Sequence, residues 1–162
     1  MIRIRPFKEA DTAVILSWCT DEDTYYKWTA GIWGEYPVTE EQFSRTGDLI
    51  RFTALDEKEP VGFFTFRNPK GTLDELRFGF VIVNPDKRRC GFGKAMLQLG
   101  TEFAFRIYHA EKVSLGVFED NIPAIACYQS AGFERTPRRE IYRINGKERT
   151  AFEMEMLRRE PG

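Results

Sequence analysis

Apolar and polar positions along the chain change period several times, and each change marks an element. Ile2 and Ile4 alternate with Arg3 and Arg5 as in a half-buried strand that Pro6 ends, and a helix is predicted from about Glu9 to Trp18. Thr20 stands three residues ahead of Asp23, and Thr39 three ahead of Gln42. Such spacings cap helix starts, so two short helices are predicted near 21–28 and 40–46. From Ile50 the pattern turns to strands over Arg51–Leu55, Val61–Arg67 and Leu76–Val83, joined by turns at Asp56–Pro60 and Asn68–Gly71 as an antiparallel meander. Gly91–His109 then reads as one long helix, with Phe92, Met96, Leu99, Phe103 and Ile107 on a single stripe. Val113–Phe118 is a further strand, and Pro123–Ser130 a helix ended by a left-handed Gly132. The close is a hairpin. Asn145-Gly146 has the chemistry of a two-residue type I′ turn, and Phe152, Met154 and Met156 alternate with Glu153 and Glu155.

A meander is antiparallel, whereas the strand–helix–strand crossover over 76–118 requires a parallel pair. The fold class predicted is therefore α/β (α+β): a mixed, mostly antiparallel sheet of about seven strands with helices on both faces.

Composition narrows the function. With 162 residues, 42% of them hydrophobic, the chain suits one folded domain spanning 1–162 with a sizeable core. A net charge of −1 gives no general attraction to nucleic acid or anionic membrane, so neither is expected as a partner. No apolar run reaches the roughly 20 residues that cross a bilayer, and the first residues lack a signal peptide's apolar core, which makes the cytoplasm the expected location. Cys19, Cys90 and Cys127 are too widely spaced for a CxxC metal site and odd in number, so reduced thiols are expected. The single histidine, His109, rules out a histidine cluster for zinc, and no metal site is predicted.

Chemistry concentrates in Val81-Ile82-Val83-Asn84-Pro85-Asp86-Lys87-Arg88-Arg89-Cys90-Gly91-Phe92-Gly93-Lys94, where a strand ends in a basic loop whose glycines open the long helix. The first amides of a helix have no backbone partners, and the helix dipole adds positive potential there. With Arg88, Arg89 and Lys94 as counter-charge, the site suits an anion such as a pyrophosphate. The spacing matches neither a Walker loop nor a dinucleotide-binding fingerprint.

Arg88-x-x-Gly91-x-Gly93 instead resembles the acetyl-CoA signature of the GNAT superfamily, and the preceding Val-x-Val-x-Pro is similar to that family's strand before it. Asn121-Ile122-Pro123-Ala124-Ile125-Ala126-Cys127-Tyr128-Gln129-Ser130-Ala131-Gly132-Phe133 resembles the family's second block, Asn-x-x-Ala-x-x-x-Tyr-x-x-x-Gly-Phe. The resemblance covers about 75–135 by motif and the whole chain by element order. It implies an N-acetyltransferase with acetyl-CoA as cosubstrate: pyrophosphate on the backbone of 88–94, including Cys90 and Phe92, and pantetheine paired like a strand with Val81 and Val83 beside Ile82. It further implies Asn121 as a cofactor contact and Tyr128 as the acid that protonates the leaving thiolate. A homodimer is a partner state that the resemblance allows.

The chain departs from several relatives in the general base. Positions that hold glutamate in them hold Arg77 or Phe78 before the signature and Gly116 after the long helix, which leaves Glu75 as the nearest substitute. Binding that favours the neutral amine would make a strong base unnecessary. The aromatic run Trp18, Tyr25, Tyr26, Trp28, Trp33, Tyr36 falls where the resemblance puts acceptor-binding helices. Core packing accounts for most of it, and Tyr26, Trp28 and Trp33 are the candidate substrate contacts, with Asp21, Glu22, Asp23 and Glu35 suited to a cationic amine. The expected function is acetyl transfer to a primary amine of a small molecule or peptide, by direct attack in a ternary complex. A non-catalytic acyl-CoA-binding module is the alternative.

Overall fold

In the computed structural model, which describes residues 1–45, 47–72, 74–89 and 91–159, the predicted strands assemble into one seven-stranded sheet. They are β1 (Ile2–Pro6), β2 (Ile50–Asp56), β3 (Glu59–Arg67), β4 (Glu75–Val83), β5 (Lys112–Phe118), β6 (Glu134–Ile144) and β7 (Lys147–Leu157), in spatial order β1-β2-β3-β4-β5-β7-β6. Only β4 and β5 run parallel. The reason is connectivity: tight turns reverse the chain, while the helical crossover returns it to the same end of the sheet.

Helices cover both faces, as the element pattern predicts. On one face lie α1 (Thr12–Ser17), α2 (Glu22–Thr29) and α3 (Glu40–Ser44), where Ile15, Tyr25, Trp28 and Phe43 pack on Phe63 and Ile82. On the other lie α4 (Phe92–Glu102) and α5 (Ile122–Ser130), where Met96, Leu97 and Tyr128 join Phe64, Phe66, Leu76 and Phe78. Covering both faces is why β3 is apolar at consecutive positions rather than alternating.

Several local expectations shift by a residue or a turn. The first helix begins as a tight 3₁₀ turn over Glu9–Asp11. The Asp11 carboxylate there accepts both Arg5 guanidinium nitrogens at 2.8 Å, the Lys8 amide at 2.9 Å and the Thr53 hydroxyl at 2.7 Å, tying β1 and β2 to α1. Asp21, not Thr20, caps α2: its carboxylate accepts the Thr24 amide at 2.8 Å, and its extended backbone suits the role that Thr20 would fill one residue too early. The Thr39–Gln42 capping box is present as predicted.

The long helix is interrupted. After Glu102 it widens into a π turn over Phe103–Ile107, and the extra residue per turn rotates the predicted stripe, so that Ala104 is buried and Ile107 is 68% exposed. Gly132 is left-handed with φ 107°, and Asn145 and Gly146 have φ 51° and 76°, as a type I′ turn requires. β6 extends well beyond the hairpin read from the sequence. Its ladder with β7 breaks between Arg135 and Arg139, around Pro137, which has no N–H to give.

Candidate active site

The parallel pair at the centre of the sheet comes apart soon after it forms. β4 and β5 are in register only at Glu75–Lys112, Leu76–Val113 and Arg77–Ser114. Beyond them the strands diverge, and among the described residues the backbone of 78–83 has no partner strand on that side. β4 is distorted at the same place. Its ladder with β3 steps from Thr65–Gly79 to Phe63–Ile82, so one residue of β4 is extra, and Phe80 adopts φ 50°, a left-handed conformation that bulky residues avoid. Two aromatic side chains hold this bulge. Trp28 Nε1 donates to the Phe80 carbonyl at 2.8 Å, and the Trp33 ring stacks on the Phe80 ring at 4.1 Å with 9° between planes.

Below the bulge β4 runs into the basic loop. Arg88, Arg89 and Lys94 are exposed around the start of α4, and Arg89 is itself left-handed with φ 66°. Among the described residues Ala95 is the first amide to bond back into the helix, to the Gly91 carbonyl at 3.0 Å, and no side chain caps Gly91. The opening amides of α4, Phe92 and Gly93 first, are those that a helix start presents to a ligand. The two glycines have different reasons. Gly91 has φ 77° and open space where a Cβ would stand, so its requirement is conformational. A Cβ on Gly93 would meet Cys127 Sγ at 3.1 Å and Val83 at 3.6 Å, so Gly93 lets α4, α5 and the end of β4 close on one another. Val81 and Val83 pack partly buried on the α4 side, while Ile82 is buried on the opposite face. Cys90 lies outside the described residues.

Of the other predicted site residues, Asn121 stands at the N-cap of α5, yet its side chain makes no capping bond. Tyr128 is buried one residue after Cys127, with its ring 6.4 Å from that of Phe133. Burial, with Cys127 adding to it, pushes the Tyr128 phenol far above the usual tyrosine range. Cys19 and Cys127 are free thiols; burial raises both, Cys19 to about 11 with Asp21 contributing. Glu75 is 5% exposed at the closed end of the β4–β5 wedge, where it accepts the Ser114 hydroxyl at 2.5 Å and lies 3.6 Å from Lys112 Nζ.

A cavity of about 140 Å³ opens at the wedge between α2, β3, β4 and β5. Trp28 lines it, together with Phe80, Gly79 and Gly116, whereas Tyr26, Trp33 and Glu75 do not. Tyr26 and Trp33 are 7% and 9% exposed and belong to the aromatic core under α2. The acidic residues read as suited to a cationic amine lie elsewhere: Asp21 caps α2, Glu22 accepts Asn145 Nδ2, Asp23 pairs with Lys27, and Glu35 is exposed. The charged residues lining the cavity are Lys27, Arg67 and Arg77. Thr29, Thr65 and Tyr142 add hydroxyls, of which Thr29 donates to the Tyr25 carbonyl at 2.9 Å and Tyr142 to Glu140 at 2.7 Å in an adjoining recess. Reading from sequence misses Lys27, Thr65, Arg67 and Tyr142. Arg77 and Gly116 do carry a signal, since the resemblance expects glutamate at Arg77 or Phe78 and at Gly116.

The fold and the wedge define a class, and the comparisons agree with it. The family model described as the acetyltransferase (GNAT) family matches residues 9–133, and the chain belongs to that family. An N-alpha-acetyltransferase of Sulfurisphaera tokodaii is 31% identical over 106 residues, a stretch that covers 60% of this chain and 64% of that relative's length. Among solved structures, the spermidine N-acetyltransferase from Vibrio cholerae in complex with CoA and spermine superposes with a TM-score of 0.80 at 17% identity, over 96% of this chain and 95% of that one. Among the described residues, no group of His, Cys, Asp and Glu could hold a metal ion, and no helix is long and apolar enough to cross a membrane.

Proposed function

We propose that residues 1–162 form one acetyltransferase domain that moves the acetyl group of acetyl-CoA to the primary amine of a small molecule, by direct attack in a ternary complex. The observation that carries this reading is the splayed β4–β5 pair, which offers a free strand edge ending at an anion-binding helix start and opening beside a cavity. Pantetheine adds to the 78–83 backbone as a short strand, and the pyrophosphate takes the amides of Phe92, Gly93 and Lys94. Asn121, whose side chain is not spent on capping, contacts the cofactor from α5.

The thioester carbonyl then lies at the bulge, where a backbone N–H of 81–83 polarises it. The amine nitrogen bonds to the carbonyl carbon, the C–S bond breaks, and the amine's surplus proton leaves to water. Lys27, Arg67 and Arg77 disfavour an ammonium in the cavity, so the acceptor enters as the neutral nucleophile without a carboxylate base. The Tyr128 hydroxyl, whose pKa burial raises, donates its proton to the departing thiolate and regains one from the water that took the amine's. Glu75 supports the site through Ser114, whose hydroxyl lies 3.2 Å from Arg77 Nη1. The test has two stages. CoA should raise the melting temperature where ATP and NAD do not, and acetyl-CoA with a panel of amines should release free thiol. Stabilisation by CoA with no thiol release from any amine would leave the non-catalytic binding module.

A further inference from the structure

The cavity's charge is opposite to what a polyamine needs. Arg67 on β3 and Arg77 on β4 are direct cross-strand partners, a placement in which two like charges repel. One carboxylate answers them: Arg77 Nη1 lies 3.2 Å from Glu153 Oε2 and 3.2 Å from the Ser114 hydroxyl. Arg77 Nη2 stands 3.0 Å from where a Cβ of Gly116 would be and has no hydrogen bond among the described residues. Arg67 is exposed and has no ion pair among the described residues. Lys27 adds a third positive group, held at 3.0 Å by Asp23, which does not line the cavity.

A second observation is independent of charge. Thr65 is 1% exposed, lines the same cavity two residues before Arg67, and its hydroxyl has no hydrogen-bond partner among the described residues. A buried hydroxyl without a partner is unfavourable, and a ligand that bonds to it removes that cost. Opposite Thr65 is Gly79, where any Cβ would come within 3.0 Å of the Thr65 hydroxyl. Gly79 and Gly116 thus keep clear the space between this hydroxyl, the guanidinium of Arg77 and the bulge.

Resting on the acetyltransferase reading, we propose that the acceptor is an amino-acid-like small molecule, an amine that also carries a carboxylate, and that Arg67, Arg77 and the Thr65 hydroxyl receive that carboxylate. The anion cancels the Arg67–Arg77 repulsion, while the amine reaches the bulge. From Arg77 to Phe80 is three residues of strand, roughly 10 Å, so an acceptor whose amine and carboxylate are several bonds apart fits best.

The experiment uses the full chain with CoA bound and measures acceptor binding by calorimetry, then thiol release with acetyl-CoA. The probes are glycine, β-alanine, 4-aminobutyrate and 6-aminohexanoate, each beside its amide, with spermidine and a C-terminally amidated tripeptide of alanine. Expected are affinities about 10- to 100-fold higher for carboxylates than for their amides, from charge-assisted hydrogen bonds, with spermidine weakest. Arg67→Gln, at an exposed position that the fold tolerates, should cut that ratio to a few-fold, and Thr65→Val should reduce it as well. Equal binding of carboxylate and amide, no binding of any carboxylate, or a preference for spermidine would each overturn the proposal. Preference for the peptide over every free carboxylate would also overturn it, since the acceptor would then be a polypeptide. Selective carboxylate binding without thiol release would refute acetyl transfer while leaving the anion site standing.

Discussion

Trp28 offers the most direct test of how the site is held. Its indole N–H bonds to the carbonyl of Phe80, the left-handed residue at the bulge of β4. Trp28→Phe keeps an aromatic ring but deletes that donor. A partly buried carbonyl without its partner costs about 1–3 kcal/mol, whereas the left-handed strain at Phe80 is present in the parent too and adds nothing to the difference. The expected destabilisation is therefore about 1–3 kcal/mol, roughly 2–12 °C in Tm for a chain of this size. On the proposed mechanism, relaxing the bulge moves the amide that would polarise the thioester, and a shift of about 1 Å in such a group costs on the order of 100-fold in rate. Thermal denaturation and thiol release, measured well below the lowered Tm, read the two effects separately. Trp33→Phe is the control, because it keeps a ring to stack on Phe80 and loses no bond to it. A Trp28→Phe variant that loses stability yet turns over within twofold of the parent would refute the argument that this bond sets the catalytic backbone.

Three further outcomes are expected. Gly91→Ala should weaken CoA binding about tenfold through backbone strain at φ 77°, whereas Gly93→Val should act first on Tm by driving into Cys127; calorimetric titration with CoA and melting curves distinguish them. Tyr128→Phe should lower turnover by roughly 100-fold or more with acetyl-CoA affinity unchanged, and the parent's rate should show no loss of this acid up to about pH 10, because burial holds the phenol protonated. Asp11 is held at about 2: burial pushes it up, but the hydrogen bonds from Arg5, Lys8 and Thr53 outweigh burial. Because its folded value lies below the unfolded one, near 3.9, its contribution of about 2.5 kcal/mol is full above that value and fades as pH falls toward 2. Denaturant titrations should therefore show Asp11→Asn weakening the fold at pH 6, with the gap to the parent closing between pH 4 and pH 2.

The sheet was legible in the sequence because its signals are local. Asn145-Gly146 allows one tight hairpin, Thr39 and Gln42 form a cap within four residues, and the glycines on either side of Phe92 mark a helix start whatever surrounds them. The proposed cofactor side of the site is read from the same stretch. The π turn at Phe103 escaped because no local pattern announces an extra residue within a helix. The proposed acceptor side escaped for a different reason. Thr65, Arg67 and Arg77 converge only through the β3–β4 register, and their alternation reads as ordinary strand until the pairing is known. The tryptophans were visible as a group, but whether each lines a cavity or fills a core depends on the packing of α2 against β4. Trp28 does the first and Trp33 the second.

The wedge between β4 and β5 has a consequence for the protein's lifetime. An unpaired stretch of strand at 78–83 in the middle of a sheet is an invitation to another chain's strand, the same liability that exposed sheet edges carry into aggregation. A ligand that occupies the edge withdraws it from such pairing and shifts the folding balance by mass action, by about 2.7 kcal/mol at a hundredfold excess over its dissociation constant. The supply of that ligand would then govern how long each copy of the chain escapes proteolysis and clumping.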